Sequence, residues 1–126
     1  MSNLLLVAVG GSIGASTRYI FFLISKNFFY PNYLFINTFL INVIGSFLIG
    51  YLIVLFENKS FSEDFLKYFF IIGILGSFTT FSAFSLETIE LLVNKKYLIA
   101  FFYIFLSIFL CLLFTFLGLN LNKLIN

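Results

Sequence analysis

Four long apolar stretches, roughly Leu4 to Ser25, Tyr33 to Phe56, Phe65 to Leu92 and Tyr97 to Leu119, take up nearly all of the 126 residues. A helix crossing the hydrocarbon core of a bilayer needs about 20 apolar residues, and each stretch is long enough. The links are short: Lys26 to Asn32 with the only proline, Pro31; the charged loop Glu57 to Asp64; and a tight turn from Val93 to Lys96. Nothing is left over for a soluble domain, a linker or a low-complexity tail, and no internal repeat is visible. Only 10% of the residues are charged and mean hydropathy is +1.14, whereas about a quarter of a soluble domain is charged. Lipid offers no hydrogen bonds to a bare backbone, so runs of this kind are helices. The expected fold is therefore an all-α membrane protein, a single domain over 1–126 with four transmembrane helices.

The same composition removes most chemistry. There is no His and a single Cys, Cys111. An internal disulfide, a His/Cys metal site and a Ser/His or Cys/His catalytic pair are all out of reach. A net charge of +2 implies nothing about nucleic acid. The first residues carry no positive run, so Leu4 onward reads as a retained span rather than a cleaved signal. The excess of Phe, Ile, Lys and Asn is what base composition alone can produce. Asn58-Lys59-Ser60 matches a glycosylation sequon, but so close to the membrane it reads as a chance match.

Orientation is informative. An even number of spans puts both termini and the second loop on one side, with Lys59, Lys67 and Lys123; the other side holds Lys26, Lys95 and Lys96. The Lys/Arg bias that normally orients a membrane protein is absent. Either something else fixes the orientation, or the chain inserts both ways and forms antiparallel dimers.

The third stretch contains Gly73-Ile-Leu-Gly76-Ser77-Phe78-Thr79-Thr80-Phe81-Ser82-Ala83-Phe84-Ser85. Two glycines and five hydroxyl residues make a poor continuous helix, because Gly is costly to order and Ser and Thr compete for backbone hydrogen bonds. Irregular backbone at membrane depth is tolerated only where protein buries it or water lines it. An interruption of the third helix is expected here, followed by Phe81 and Phe84. Glu87 continues the face of Phe84 and Thr80, either as a buried carboxyl or as a boundary residue, and Glu90 reaches the interface.

Other polar residues fall on the remaining spans. In the first, Gly10 and Gly14 form a GxxxG face that admits a close neighbour. Arg18 follows on the same face, and it either serves the function at depth or snorkels to the interface. A phosphate loop is excluded, since no strand precedes the glycines and no Gly-Lys-Ser/Thr follows. In the second span Thr38, Asn42 and Ser46 make one stripe at a spacing of four, with Gly45 beside it. Asn42 is either interhelical glue or a neutral N–H donor to a ligand. In the fourth, Tyr103, Ser107, Cys111 and Thr115 repeat every four residues as a polar track on an otherwise lipid-like helix.

N–H and O–H donors beside phenylalanine rings, with little negative charge, suit a small anion. Ring edges are positive, and several weak donors in a row bind without trapping, as conduction requires. Cations would call for rings of carbonyls or carboxylates, and Glu87 alone is not one. Taken singly, Phe81 and Phe84 are ordinary packing residues in a chain with 21 Phe.

Three motifs together resemble the Fluc/CrcB fluoride channels: Gly10-Gly11-x-x-Gly14-Ala15-x-x-Arg18-Tyr19, Asn42-x-x-Gly45-Ser46-Phe47, and Gly73-x-x-Gly76-x-x-Thr79-Thr80-Phe81-Ser82-Ala83-Phe84. They lie in the expected spans and order, and the resemblance covers the whole chain. It implies an antiparallel dual-topology homodimer with two pores, selective for fluoride over chloride, in a bacterial inner membrane, with fluoride and membrane lipid as partners and no nucleic acid. By resemblance Phe81 and Phe84 meet fluoride with their ring edges, and Asn42 is the pore asparagine. The polar track falls on Ser82, Glu87, Tyr103, Ser107 and Thr115. Arg18 matches the arginine of the first motif. A structural Na+ on the dimer axis is implied, held by the backbone carbonyls of Gly76 and Thr79. The family usually has Thr where this chain has Ala83, which predicts an altered rate with selectivity kept. Two rival classes are weaker. A small proton-coupled multidrug exporter needs a carboxylate in the first span, which is missing. A non-transporting assembly subunit predicts no ion flux from pure protein.

Overall fold

The computed structural model describes residues 2–28, 33–57 and 62–125. Pro31, Lys59 and the Asn58-Lys59-Ser60 sequon lie outside the described residues, and of Lys123 only the backbone is described. The chain runs α1 (Ser2–Ser25), α2 (Phe35–Glu57), α3 (Glu63–Phe65), a π-helical stretch π1 (Leu66–Leu75), α4 (Gly76–Phe78), α5 (Phe81–Val93) and α6 (Tyr97–Ile125), with no strand among the described residues. Among the described residues four segments are long and apolar enough to cross a membrane: Asn3–Ser25, Phe35–Phe56, Glu63–Val93 and Tyr97–Leu121. The protein is a multi-pass, all-helical membrane protein.

Local chemistry sets the ends of the third segment. Ser62 is extended and its hydroxyl accepts from the Phe65 N–H at 3.1 Å, while Glu63 and Asp64 occupy the first turn. A hydroxyl cap and acidic residues both suit the positive end of a helix. At the other end, Lys95 adopts φ 59°, its N–H donates to the Leu92 carbonyl, and the Lys96 N–H donates to the Leu91 carbonyl. This is a Schellman closure with lysine in the left-handed position that glycine fills at lower cost.

The helices associate as two close pairs with α5 laid across one of them. In the first pair α1 runs along π1 and α4. A Cβ added at Gly10 or Gly14 would come closer than 3.0 Å to the backbone at Phe69 or Ile74, a separation real Cβ atoms do not show. In the second pair α2 runs along α6, and a Cβ at Gly50 or Gly118 would meet the carbonyl of Thr115 or Phe47 in the same way. Small residues let backbones touch where lipid supplies no hydrophobic drive for association. A buried apolar cluster lies where α5 meets α6: Phe84, Leu91, Ala100 and Tyr103, with Phe35, Phe39, Ile99 and Ile104 against it. Outside it, large apolar side chains such as Leu5, Phe101 and Leu112 are exposed, as a surface that meets acyl chains must be.

Candidate functional site

The site forms where regular helix stops. Phe78 ends α4, Thr79 (φ −78°, ψ 157°) and Thr80 (φ −151°, ψ 120°) are extended, and α5 starts at Phe81. The Thr80 N–H would donate to the Gly76 carbonyl if the helix continued. It donates instead to Asn42 Oδ1 at 2.8 Å, and Asn42 Nδ2 donates to the Thr80 carbonyl at 2.9 Å. One side-chain amide on α2 thus satisfies both polar groups of Thr80, a pairing the lipid-like surroundings make necessary. The Thr80 hydroxyl accepts from the Ala83 N–H at 3.2 Å and so caps α5. It also pairs with the Ser82 hydroxyl at 3.2 Å. The Thr79 side chain lies on Gly45, one turn from Asn42, where no Cβ would fit. From α1, Arg18 Nη1 donates to the Thr79 carbonyl at 3.5 Å, a long contact.

Beside the interruption lies a cavity of about 330 Å³, open on one side, whose walls include Asn42, Ser46, Gly76, Thr79, Thr80, Phe81, Phe84, Ser107 and Cys111. The two phenylalanine rings stand with centroids 5.4 Å apart and planes at 43°. They differ in exposure: Phe84 is 8% exposed and Phe81 76%. Ser107 is buried, and its Oγ has no hydrogen-bond partner among the described residues. Among the described residues no carboxylate lines the cavity.

One step along α5 from Phe84 lies a second polar cluster. Glu87 receives two hydroxyl donors, Thr38 to Oε1 at 2.7 Å and Tyr103 to Oε2 at 2.6 Å. That joins α2, α5 and α6 through one carboxyl group. The Tyr103 ring also stands 5.1 Å from the Phe84 ring, so the cluster and the cavity share a wall.

Of the residues singled out in the sequence, Asn42, Phe81, Phe84, Ser107, Gly76 and Thr79 come together at the cavity. Glu87 and Tyr103 form the adjoining cluster, Ser82 is exposed beside Thr80, and Arg18 touches the interruption. Thr115 is not part of the cavity wall, and its hydroxyl donates back to the Cys111 carbonyl at 2.9 Å. Glu90 is exposed. Sequence reasoning missed the role of Thr38 as a partner of Glu87, although Thr38 already lay on the Asn42 stripe. It also missed the buried bond from Ser25 Oγ to Asn37 Oδ1 at 2.9 Å, for which a polar pair at neighbouring span ends was the available signal. Of the close glycine contacts it found Gly10 and Gly14 but not Gly50 and Gly118. The lone Gly118 in a run of bulky residues would have pointed to the second pair.

Among the described residues no group of three or more His, Cys, Asp or Glu could hold a metal ion. What the interruption does offer a cation is neutral carbonyls: that of Gly76, deprived of its usual helical donor, and that of Thr79, which already takes the long contact from the Arg18 guanidinium. A donor set of neutral oxygens fits a singly charged hard ion better than a soft or highly charged one.

Comparison with known proteins gives a consistent result. The family described as "CrcB-like protein, Camphor Resistance (CrcB)" matches residues 5–119. Among similar proteins, the fluoride-specific ion channel FluC of Flavobacterium psychrophilum is 39% identical over 123 residues, 98% of each chain. That of Campylobacter hominis is 38% identical over 124 residues, again 98% of each. That of Shewanella baltica is 44% identical over 118 residues, 94% of each.

Proposed function

The chain belongs to the CrcB family, and on that premise we propose that it is a fluoride-selective channel, passive and without catalysis. The observation that carries this reading is the cavity. Asn42, Phe81, Phe84 and the unpartnered Ser107 hydroxyl share one space that no carboxylate among the described residues lines. Amide and hydroxyl donors replace the water lost by a small anion, and the positive ring edges of Phe81 and Phe84 add to them. Asn42 uses its oxygen and one N–H on Thr80, which leaves its second N–H for the ion. Beyond Phe84, Tyr103 and Glu87 extend the route, with Ser82 and Thr115 at its margins. Ala83 leaves one hydroxyl out, which alters rate rather than selectivity.

The working unit in this proposal is an antiparallel, dual-topology homodimer with two pores, its third spans broken at Thr79–Thr80 and crossing at the centre. The 76% exposure of Phe81 supports it, since a ring that coordinates an ion needs a second wall. The balanced lysines of the two membrane sides support it as well. Gly76 and Thr79 carbonyls would hold Na+ on the dimer axis, where its charge would attract an anion and tie the two copies together. In a bacterial inner membrane the channel lets fluoride leave: hydrogen fluoride enters neutral, dissociates inside, and the negative interior drives the anion out.

The test is fluoride efflux from liposomes holding the purified chain, read with a fluoride electrode and with chloride as control. Fast fluoride loss with chloride retained is expected, and Phe81→Ile and Phe84→Ile should each slow it by about tenfold or more, about 1.4 kcal/mol. A folded protein that passes no fluoride would overturn the reading.

A further inference from the structure

Cys111 is the only thiol in the chain, and it shares a cavity wall with Phe84 and with Ser107, one turn before it on α6. It is partly exposed, and no hydrogen bond engages its sulfur among the described residues. Ser107 gives this wall a second, independent feature, a buried hydroxyl with no partner among the described residues. Hydroxyls on apolar helices usually donate back to the carbonyl one turn earlier, as Thr79, Thr88 and Thr115 do here. Ser107 does not: it is 5% exposed and its Oγ is unpartnered. A buried polar atom left without a partner calls for something in the space it faces. Cys111 lines that same space.

We infer that Cys111 is a covalent modification site inside the ion path, open to small thiophilic electrophiles, and that an adduct there closes the path. The inference rests on the channel reading above. With a methanethiosulfonate the chemistry is simple. The Cys111 thiol gives its proton to water and the thiolate attacks the sulfenyl sulfur. A new S–S bond forms as the S–SO₂ bond breaks, and methanesulfinate leaves with the electron pair. No external oxidant is needed. A benzylthio group added at Cys111 takes up a large part of a cavity of about 330 Å³ and replaces donors with a ring in the way of the ion.

The chain's single cysteine makes the experiment clean. The full-length protein in liposomes is treated with benzyl methanethiosulfonate, adducts are counted by intact mass, and fluoride efflux is followed before and after, then again after dithiothreitol. One adduct per chain is expected, with efflux falling by about tenfold or more and recovering on reduction. The Cys111→Ser protein should hold its own untreated rate under the same reagent. An adduct that leaves efflux unchanged would overturn the inference. So would a folded, fluoride-conducting chain that stays unlabelled while the detergent-unfolded chain is labelled. An untreated protein that passes no fluoride would overturn the channel reading itself, and the inference with it.

Discussion

The two helix pairs and the seam around α5 are held together by opposite means. Between α1 and π1, and between α2 and α6, glycines bring backbone onto backbone with no room for one more carbon. Around α5 an apolar cluster about Phe84 and Leu91 is joined by a few polar bridges: Asn42 on Thr80, and Thr38 and Tyr103 on Glu87. The first kind of joint satisfies itself and leaves no space. The second leaves a cavity and a buried hydroxyl, Ser107, that has no partner among the described residues. Close packing in lipid makes a frame. Sparse polar bridging makes a passage, because the groups that hold the helices also leave donors over.

The contrast can be broken first at the frame. Gly14→Ala and Gly50→Ala each force a Cβ into a backbone carbonyl. Their cost should exceed the roughly 1–3 kcal/mol typical of overpacking, seen as loss of the monodisperse peak in size exclusion or a collapse of the unfolding midpoint in detergent. A normal yield for both would show that the pairs are looser than the geometry says.

Next comes the seam. Asn42→Ala strands both polar groups of Thr80, at about 1–3 kcal/mol for each unsatisfied group. The unfolding midpoint should drop clearly while folded protein can still be isolated, and fluoride efflux should fall further than stability does. If efflux and stability fall in step, Asn42 is glue alone. Glu87→Gln should cost less, about 1–2 kcal/mol, because the amide oxygen still accepts from one of the two hydroxyls. Glu87→Gln combined with Tyr103→Phe should then cost less than the sum of the single changes, which a double-mutant cycle reads directly.

The smallest effect belongs to Gly11→Ala. Its added Cβ would meet only the Ser77 hydroxyl at 3.2 Å, and a side chain can turn aside. Alanine is the better helix former by about 0.5–1 kcal/mol, so stability should stay level or rise slightly in the same unfolding assay. A large loss would mean that α1 needs glycine on more than the face packed on π1.

What was legible in the sequence divides along the same line. The four apolar helices could be read because span length and hydropathy are one-dimensional properties. The spacing of four put Asn42 and Ser107 each on a polar helix face, while the grouping of Asn42, Phe81, Phe84 and Ser107 into one site came from the family resemblance. Bonding partners could not be read. That Asn42 meets the Thr80 backbone, or that Glu87 takes both Thr38 and Tyr103, depends on how three helices cross. The spacing that selected Ser107 also selected Thr115, yet the Thr115 hydroxyl turns back to its own helix at Cys111. Spacing shows the face of a residue but not whether its hydroxyl looks outward. The π geometry of Leu66–Leu75 was hidden because a nearly unbroken apolar run carries no period. At Lys95 the positive φ fell on a residue type that gives no hint of it.

The closure at Asn94–Lys96 also governs how the chain enters a bilayer. Three residues join α5 to α6, and fully extended they reach about 10 Å, far short of a hydrocarbon core about 30 Å thick. The end of α5 and the start of α6 must therefore emerge at the same face. Whichever way α5 threads, α6 is obliged to return.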